Sequence, residues 1–132
     1  MAGKARRVAV VDDDPGVLRA LRRLLSAANF EVEAYSSGSE FLLAARDTEL
    51  DCVVLDLHMR HTSGFDVQAR LTQRGGTVPV VIITGDDTPE ARARSLSLGA
   101  KSYLCKPIDE VALLAAINSA SSGLHNAEIP RS

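Results

Sequence analysis

The sequence has no tryptophan and few aromatic residues, which account for 4% of its 132 residues. Its two cysteines, Cys52 and Cys105, have neither a CxxC motif nor the cysteine–histidine spacing of a zinc site. We therefore expect buried free thiols rather than a disulfide or a zinc centre. No apolar run approaches the roughly 20 residues that span a bilayer, and the apolar stretch after the basic N-terminus is too short for a signal peptide. These absences predict a cytoplasmic protein without a membrane segment.

The sequence also lacks a large excess of either positively or negatively charged residues. Lysine and arginine number 15 and aspartate and glutamate number 17, which gives a formal net charge of −2. Nucleic-acid-binding domains are usually strongly basic, so the charge balance does not favour nucleic acid as a direct partner. The 45% apolar and 24% charged residues are typical of a globular protein. The length fits one domain, which we place at residues 1–121, and the small polar residues at 122–132 predict a tail or linker.

Short apolar runs alternate with amphipathic segments along the chain. The runs are continuous rather than alternating, which is typical of parallel strands covered on both faces. Asp14 and Thr88 each precede a proline, as N-caps do, and Ser37 opens a capping box with Glu40. The predicted strands are 7–12, 31–35, 51–56, 79–84 and 102–105, and the predicted helices are 15–28, 38–45, 65–74, 89–98 and 110–120. The pattern predicts an α/β protein with a doubly wound (βα)₅ parallel sheet.

The informative polar residues come at the ends of the apolar runs. Asp12 and Asp13 follow the first predicted strand, and Asp56 ends the third. Thr84 ends the fourth strand and Lys106 follows the fifth. In an open parallel sheet the carboxyl ends of the strands share one edge, and ligands bind there where the strand order reverses. Residues far apart in sequence are therefore predicted to meet in one pocket.

The residue types in this pocket suit phosphoryl transfer. Three carboxylates repel one another unless a hard cation joins them, and carboxylate oxygens are ligands that Mg²⁺ prefers. One carboxylate can act as a nucleophile and form an acyl phosphate. The lysine and the metal ion offset the charge of the phosphoryl group, and the hydroxyl of Thr84 can donate to one of its oxygens.

At these residues the sequence resembles the receiver domain of response regulators in two-component signalling, the CheY-like superfamily. The resemblance covers about residues 6–120 and rests on four motifs, in order, each at a strand end. They are VVDDDP, VVLDLHM around Asp56, IITGD around Thr84 and GAKSYLCKP around Lys106. The resemblance implies the flavodoxin-like fold with strand order 2-1-3-4-5. It also implies a phosphoacceptor protein that is not itself an enzyme.

The resemblance implies roles for the residues of the acidic pocket. Asp13 and Asp56 bind Mg²⁺ directly, together with the backbone carbonyl of His58, and Asp12 acts mostly through water. Asp56 takes the phosphoryl group from a phosphohistidine of a sensor histidine kinase or phosphotransfer protein. Lys106 offsets the charge of that group.

Further implied roles concern signalling. Thr84 turns inward to meet the phosphoryl group, and Tyr103 rotates inward in step. Lys106 and Pro107 are joined by a cis peptide bond. The surface that changes is built from the fourth helix, fifth strand and fifth helix. It binds a downstream protein target, and a homodimer that forms on phosphorylation is also consistent with the resemblance.

The loop after Asp56 departs from the family pattern. Relatives usually follow the acceptor with Met-Pro-x-Met-x-Gly, whereas residues 59–64 here read Met-Arg-His-Thr-Ser-Gly. We expect Arg60 to be a solvated loop residue, with steering of the kinase or contact with the phosphoryl group as alternatives. His58 and Asp86, two residues after the acceptor and after the threonine, flank the phosphoryl group in this family. We predict that this pair sets the lifetime of the acyl phosphate.

Several other interpretations stay open. A Mg²⁺-dependent aspartyl-phosphate phosphatase of the haloacid dehalogenase kind needs an Asp-x-Asp-x-Thr/Val run, which residues 12–15 do not complete. A flavodoxin-like binding module needs a phosphate loop rich in Ser, Thr and Gly at the same place. The chain also fits an isolated receiver domain of a DNA-binding regulator. His58 and His61 have a spacing that suits a transition metal, but incidental placement on a loop is the simpler interpretation.

Overall fold

One parallel sheet runs through the structure, with helices on both of its faces. The computed structural model describes residues 6–45, 49–75 and 77–126. Strands and helices alternate along these residues, as predicted. In chain order they are β1 (Arg7–Val11), α1 (Pro15–Ala27), β2 (Glu31–Tyr35), α2 (Gly38–Ala44), β3 (Cys52–Asp56), α3 (Gly64–Gln73), β4 (Val80–Thr84), α4 (Pro89–Ser97), β5 (Ser102–Cys105) and α5 (Glu110–Asn126).

The sheet has the strand order β2-β1-β3-β4-β5, and all neighbouring strands are parallel. At its centre Val54 of β3 pairs with Val10 of β1 and with Val81 of β4. The chain adds β2 on one side of β1 and then crosses to the other side for β3, so the strand order reverses there. The predicted doubly wound fold is confirmed, and it opens a crevice at the carboxyl ends of β1 and β3.

Every residue of β3 and β4 is buried, which explains why their sequences are continuously apolar. Because successive side chains of a strand point to opposite faces, each strand contributes to two separate clusters. On one face Val53 belongs to the cluster that includes Phe41 of α2, together with residues of α3 and α4. On the other face Val54 belongs to the cluster that includes Leu25 of α1 and Ile117 of α5. Packing in the two clusters fixes the positions of the strand ends relative to one another.

Polar side chains fix the first residues of the helices. Asp14 accepts hydrogen bonds from the backbone N–H groups of Gly16 and Val17 at 2.8 and 3.3 Å, so it caps α1 as predicted. Ser37 caps α2 and Thr88 caps α4 in the same way. These caps place the loops at the carboxyl edge of the sheet.

The capping box predicted at the start of α2 differs in one half. Ser37 accepts from the backbone N–H of Glu40 at 3.1 Å, but the Glu40 carboxylate accepts from the hydroxyl of Ser36 at 3.4 Å. A capping box with both hydrogen bonds forms at Ser63 and Asp66, where α3 begins. The spacing of residue types therefore located the helix start correctly, while the loop conformation decided which group the glutamate meets.

The last helix is longer than the sequence predicts. α5 continues past Ala120 to Asn126. The hydroxyl of Ser121 donates to the carbonyl of Ile117 at 2.8 Å, so this small polar residue bonds within the helix instead of ending it. Residues 127–132 of the predicted tail lie outside the described residues, as does Gly76, two residues after the predicted end of the third helix.

Both cysteines are free thiols, but the predicted burial is wrong for one of them. Cys52 is buried and Cys105 is exposed. Cys105 is the last residue of β5, which lies at the edge of the sheet beside β4. Only the strand order distinguishes this edge strand from a central one. Within the described residues, no helix combines the length and the apolar character that crossing a bilayer requires.

Candidate functional site

The carboxyl edge of the sheet brings the predicted polar residues together. Asp12 follows β1, Asp56 is the last residue of β3, and Lys106 follows β5. The Lys106 ammonium lies 2.9 Å from Oδ2 of Asp12 and 3.4 Å from Oδ1 of Asp56. One lysine thus contacts carboxylates that stand 94 and 50 positions earlier in the chain. The parallel register of the sheet makes this meeting possible.

Asp12, Asp13 and Asp56 form an acidic cluster. One carboxylate oxygen from each lies within 4.8 Å of the others, and among the described residues this is the group of side chains whose spacing suits a shared metal ion. Asp12 is fully buried and Asp56 is 3% exposed, while Asp13 is half-buried at the rim. Three carboxylates this close carry more negative charge than the single ammonium of Lys106 offsets.

The electrostatics of the cluster follow from burial and crowding. Burial and, to a smaller extent, the charge of Asp12 raise the pKa of Asp56, Lys106 opposes both effects, and the net result is a rise from 3.8 to about 6. Burial alone would lower the pKa of Lys106, but its hydrogen bond with Asp12 and the charge of Asp56 outweigh burial and raise it. Lys106 is therefore firmly protonated, and Asp56 is held in a site that favours partners of positive charge.

A tight loop holds Asp56 in place. The backbone N–H of Leu57 donates to Ile83 of β4 at 3.0 Å, and that of Gly64 donates back to Leu57 at 2.8 Å. A Cβ atom on Gly64 would lie 2.7 Å from the backbone oxygen of Asp56 and 2.8 Å from Cα of Leu57. Glycine is therefore required here because the start of α3 packs directly on the acceptor backbone. In the sequence, Gly64 stood out only as part of the family pattern.

Thr84 lies beside the acidic cluster at the end of β4. It is fully buried, and its hydroxyl accepts from the backbone N–H of Asp86 at 3.1 Å. The backbone N–H of Lys106 donates to the Thr84 carbonyl at 2.7 Å. The predicted cis peptide bond between Lys106 and Pro107 is present. The backbone hydrogen bonding between the ends of β4 and β5 therefore reaches the site.

Tyr103 is buried in the cluster of α2, α3 and α4, with 6% of its surface exposed. The guanidinium of Arg92 on α4 lies 5.3 Å from the centre of its ring. Burial raises the pKa of the Tyr103 phenol, and Asp87 raises it further. The ring thus links β5 to α4 and to the loop that follows Thr84.

The two histidines of the loop after β3 and Asp86 lie at the outer margin of the site. His58, His61 and Asp86 are all exposed. The acidic cluster holds no histidine side chain, so the described residues give no support to a transition-metal site at His58 and His61. His58 and Asp86 belong to the loops after β3 and β4, which border the cluster from two sides.

Arg60 makes a contact that the sequence did not predict. Its backbone N–H donates to Oδ2 of Asp13 at 3.0 Å, and its guanidinium Nε lies 3.6 Å from the same oxygen. The side chain is 79% exposed, so it is solvated as expected, but it is also paired with the acidic cluster. In the sequence, the feature that marked Arg60 as unusual was the departure from the Met-Pro pattern at this position.

Comparison with known proteins identifies the family. The family model described as the response regulator receiver domain matches residues 8–118. The chain belongs to this family. The alternatives of a dehalogenase-type phosphatase and of a flavodoxin-like binding module therefore lose their support, and the receiver domain of a two-component response regulator is the framework for the site.

Individual relatives agree with this assignment. The receiver domain is 34% identical to the response regulator protein TodT of Pseudomonas putida over 120 residues, 91% of this chain and 53% of TodT. It is 32% identical to the transcriptional regulatory protein FixJ of Azorhizobium caulinodans, over 85% of this chain and 53% of FixJ. A solved response regulator receiver protein from Burkholderia phymatum is 40% identical, with a TM-score of 0.79 and coverage of 89% and 95%. The chain spans about half the length of the curated relatives it matches.

Proposed function

We propose that this receiver domain accepts a phosphoryl group on Asp56 and thereby switches the binding of protein partners. The donor is a phosphohistidine on a sensor histidine kinase or phosphotransfer protein. The observation that carries the proposal is the placement of a nearly buried carboxylate within 3.4 Å of the Lys106 ammonium and beside two further carboxylates. A buried nucleophile with an adjacent fixed cation suits the transfer of an anionic group.

The acidic cluster fits a Mg²⁺ ion. Asp12, Asp13 and Asp56 offer closely spaced oxygen donors, and hard oxygen donors are what Mg²⁺ requires. Asp13 and Asp56 would hold the ion with the carbonyl of His58, and Asp12 would act mostly through water. When bound, the ion would offset the negative charge of phosphoryl oxygens.

The residues of the chain account for the transfer itself. An oxygen of Asp56 forms a bond to phosphorus while the phosphorus–nitrogen bond of the phosphohistidine breaks, and its electron pair stays on the imidazole. The product is an acyl phosphate on Asp56, and the protein is the recipient rather than an enzyme acting on separate substrates. Lys106 remains protonated because its pKa is raised, so its ammonium offsets the added charge.

The proposed switch uses Thr84 and Tyr103. The Thr84 oxygen accepts from Asp86, which leaves its hydroxyl hydrogen able to donate to a phosphoryl oxygen. A shift of Thr84 would move the loop of residues 85–88, against which Tyr103 and α4 pack. The surface formed by α4, β5 and α5 would then change its partner, either a downstream protein or a second copy of the chain.

The extent of the match supports a second candidate for the position of this domain in signalling. Since the chain covers about half of TodT and of FixJ, a receiver domain that belongs to a longer, DNA-binding regulator is the second candidate. Both free thiols suit a reducing compartment, which supports a cytoplasmic location.

Incubation with Mg²⁺ and a small phosphodonor, followed by intact mass, tests the proposal. We expect the mass of one phosphoryl group to be gained, and the gain to vanish in Asp56→Asn and in excess chelator. Asp14→Asn is the matched control, because it removes the neighbouring exposed carboxylate and keeps a capping side chain. A gain that persists in Asp56→Asn, or no gain with any donor, would refute the acceptor role.

A further inference from the structure

Two positively charged side chains contact the acidic cluster. Lys106 contacts Asp12 and Asp56 from the side of β5, whereas Arg60 contacts Asp13 from the loop after β3. Both Arg60 contacts converge on one oxygen, Oδ2 of Asp13, through the backbone N–H at 3.0 Å and the guanidinium at 3.6 Å. The carboxylate that faces the solvent thus already has a positively charged partner within the chain.

We propose that Arg60 is a resident counter-ion of Asp13 that lowers the affinity of the acidic cluster for Mg²⁺, an inference that rests on the proposed Mg²⁺ site. A divalent ion held by Asp13 and a guanidinium drawn to the same carboxylate repel each other. The guanidinium must therefore withdraw when the ion binds. Arg60 is in this sense a residue that sets metal affinity for the proposed reaction.

The surroundings of Arg60 allow this withdrawal. Its side chain is 79% exposed, so leaving Asp13 uncovers no packed core. A cavity of about 260 Å³ beside Asp13 is lined by Arg60 itself and by Ser36, Met59 and Thr62. The guanidinium can move toward solvent or along this cavity. Motion of Arg60 therefore need not disturb the tight turn that Gly64 forms with the acceptor.

The size of the effect follows from the exposure of the pair. Exposed ion pairs change an equilibrium constant by about twofold to fivefold. Replacing Arg60 by glutamine keeps the backbone N–H and removes only the guanidinium. We therefore expect Arg60→Gln to bind Mg²⁺ about twofold to fivefold more tightly than the wild type.

A chemical-shift titration of the chelator-treated full chain with Mg²⁺ measures this affinity. The matched control is Arg22→Gln, which removes the same charge from the exposed face of α1. Tighter binding in Arg60→Gln and wild-type affinity in Arg22→Gln support the proposal. Equal or weaker binding in Arg60→Gln overturns it, as does an equal gain in both variants, because that would reflect net charge alone.

A second measurement examines the contact without metal. In chelator, urea unfolding of the wild type, Arg60→Gln, Asp13→Asn and the double variant forms a double-mutant cycle. We expect Arg60→Gln to lower stability only while Asp13 is present, and full additivity would overturn the proposal. If the wild type binds no Mg²⁺, the metal part of the proposed function fails and takes this inference with it. If the wild type binds Mg²⁺ and Arg60→Gln gains nothing, this inference fails alone.

Discussion

Replacing Asp56 by asparagine should stabilise the metal-free protein, although it removes the proposed acceptor. Burial and the charge of Asp12 raise the pKa of Asp56 from 3.8 to about 6. The folded protein therefore holds this proton more tightly than the unfolded chain does. The folded state is favoured while Asp56 is protonated, and that advantage is lost as the pH rises from about 4 through about 6.

The magnitude follows from the same rise in pKa. One pKa unit corresponds to about 1.4 kcal/mol, so ionised Asp56 costs the folded protein about 3 kcal/mol at neutral pH. Because asparagine carries no charge, Asp56→Asn should unfold with a free energy about 2–3 kcal/mol higher at about pH 7.5 in chelator. The gap should close toward about pH 4, where Asp56 is protonated in the folded protein.

Urea unfolding followed by circular dichroism is the suitable assay, since the chain has no tryptophan. Asp14→Asn is the control, and its stability should match the wild type across the pH series. Excess Mg²⁺ should narrow the gap, because a cation bound at the cluster stabilises the wild type more than Asp56→Asn. An Asp56→Asn protein that is less stable than the wild type at neutral pH, or a gap independent of pH, would refute the electrostatic reasoning.

Three further outcomes follow from the structure. Gly64→Ala places a Cβ atom 2.7 Å from the acceptor's backbone oxygen, so we expect urea unfolding to show a loss of about 2 kcal/mol; wild-type stability would contradict the close contact. Exchanging the residue types of His58 and Asp86 should change the dephosphorylation rate of the phosphorylated protein, and an unchanged half-life would show that the pair does not set it. A maleimide should label exposed Cys105 in the folded protein and buried Cys52 only after unfolding. Intact mass before and after addition of urea checks this, and a folded protein with two adducts would disprove the burial of Cys52.

The sequence was sufficient to predict the architecture, because the pattern of apolar residues and the residues that begin and end helices are local properties of the chain. Continuous apolar runs indicated a parallel sheet covered on both faces, and capping residues such as Asp14 and Thr88 marked helix starts. The rule that parallel strands share a carboxyl edge is then enough to predict that Asp12, Asp56 and Lys106 meet in one site. Each of these conclusions depends on residue types within a short stretch of chain.

Tertiary structure alone decided the features that depend on distances between separate stretches. Strand order placed β5 at the edge and exposed Cys105, although its sequence resembles that of a buried strand. Packing of the loop after β3 brought Arg60 onto Asp13, and burial beside Asp12 raised the pKa of Asp56. A charge interaction changes steeply with distance and with exposure to water, and neither quantity can be read from the order of residues. The sequence thus determined which groups meet at the carboxyl edge, and the fold determined how strongly they interact.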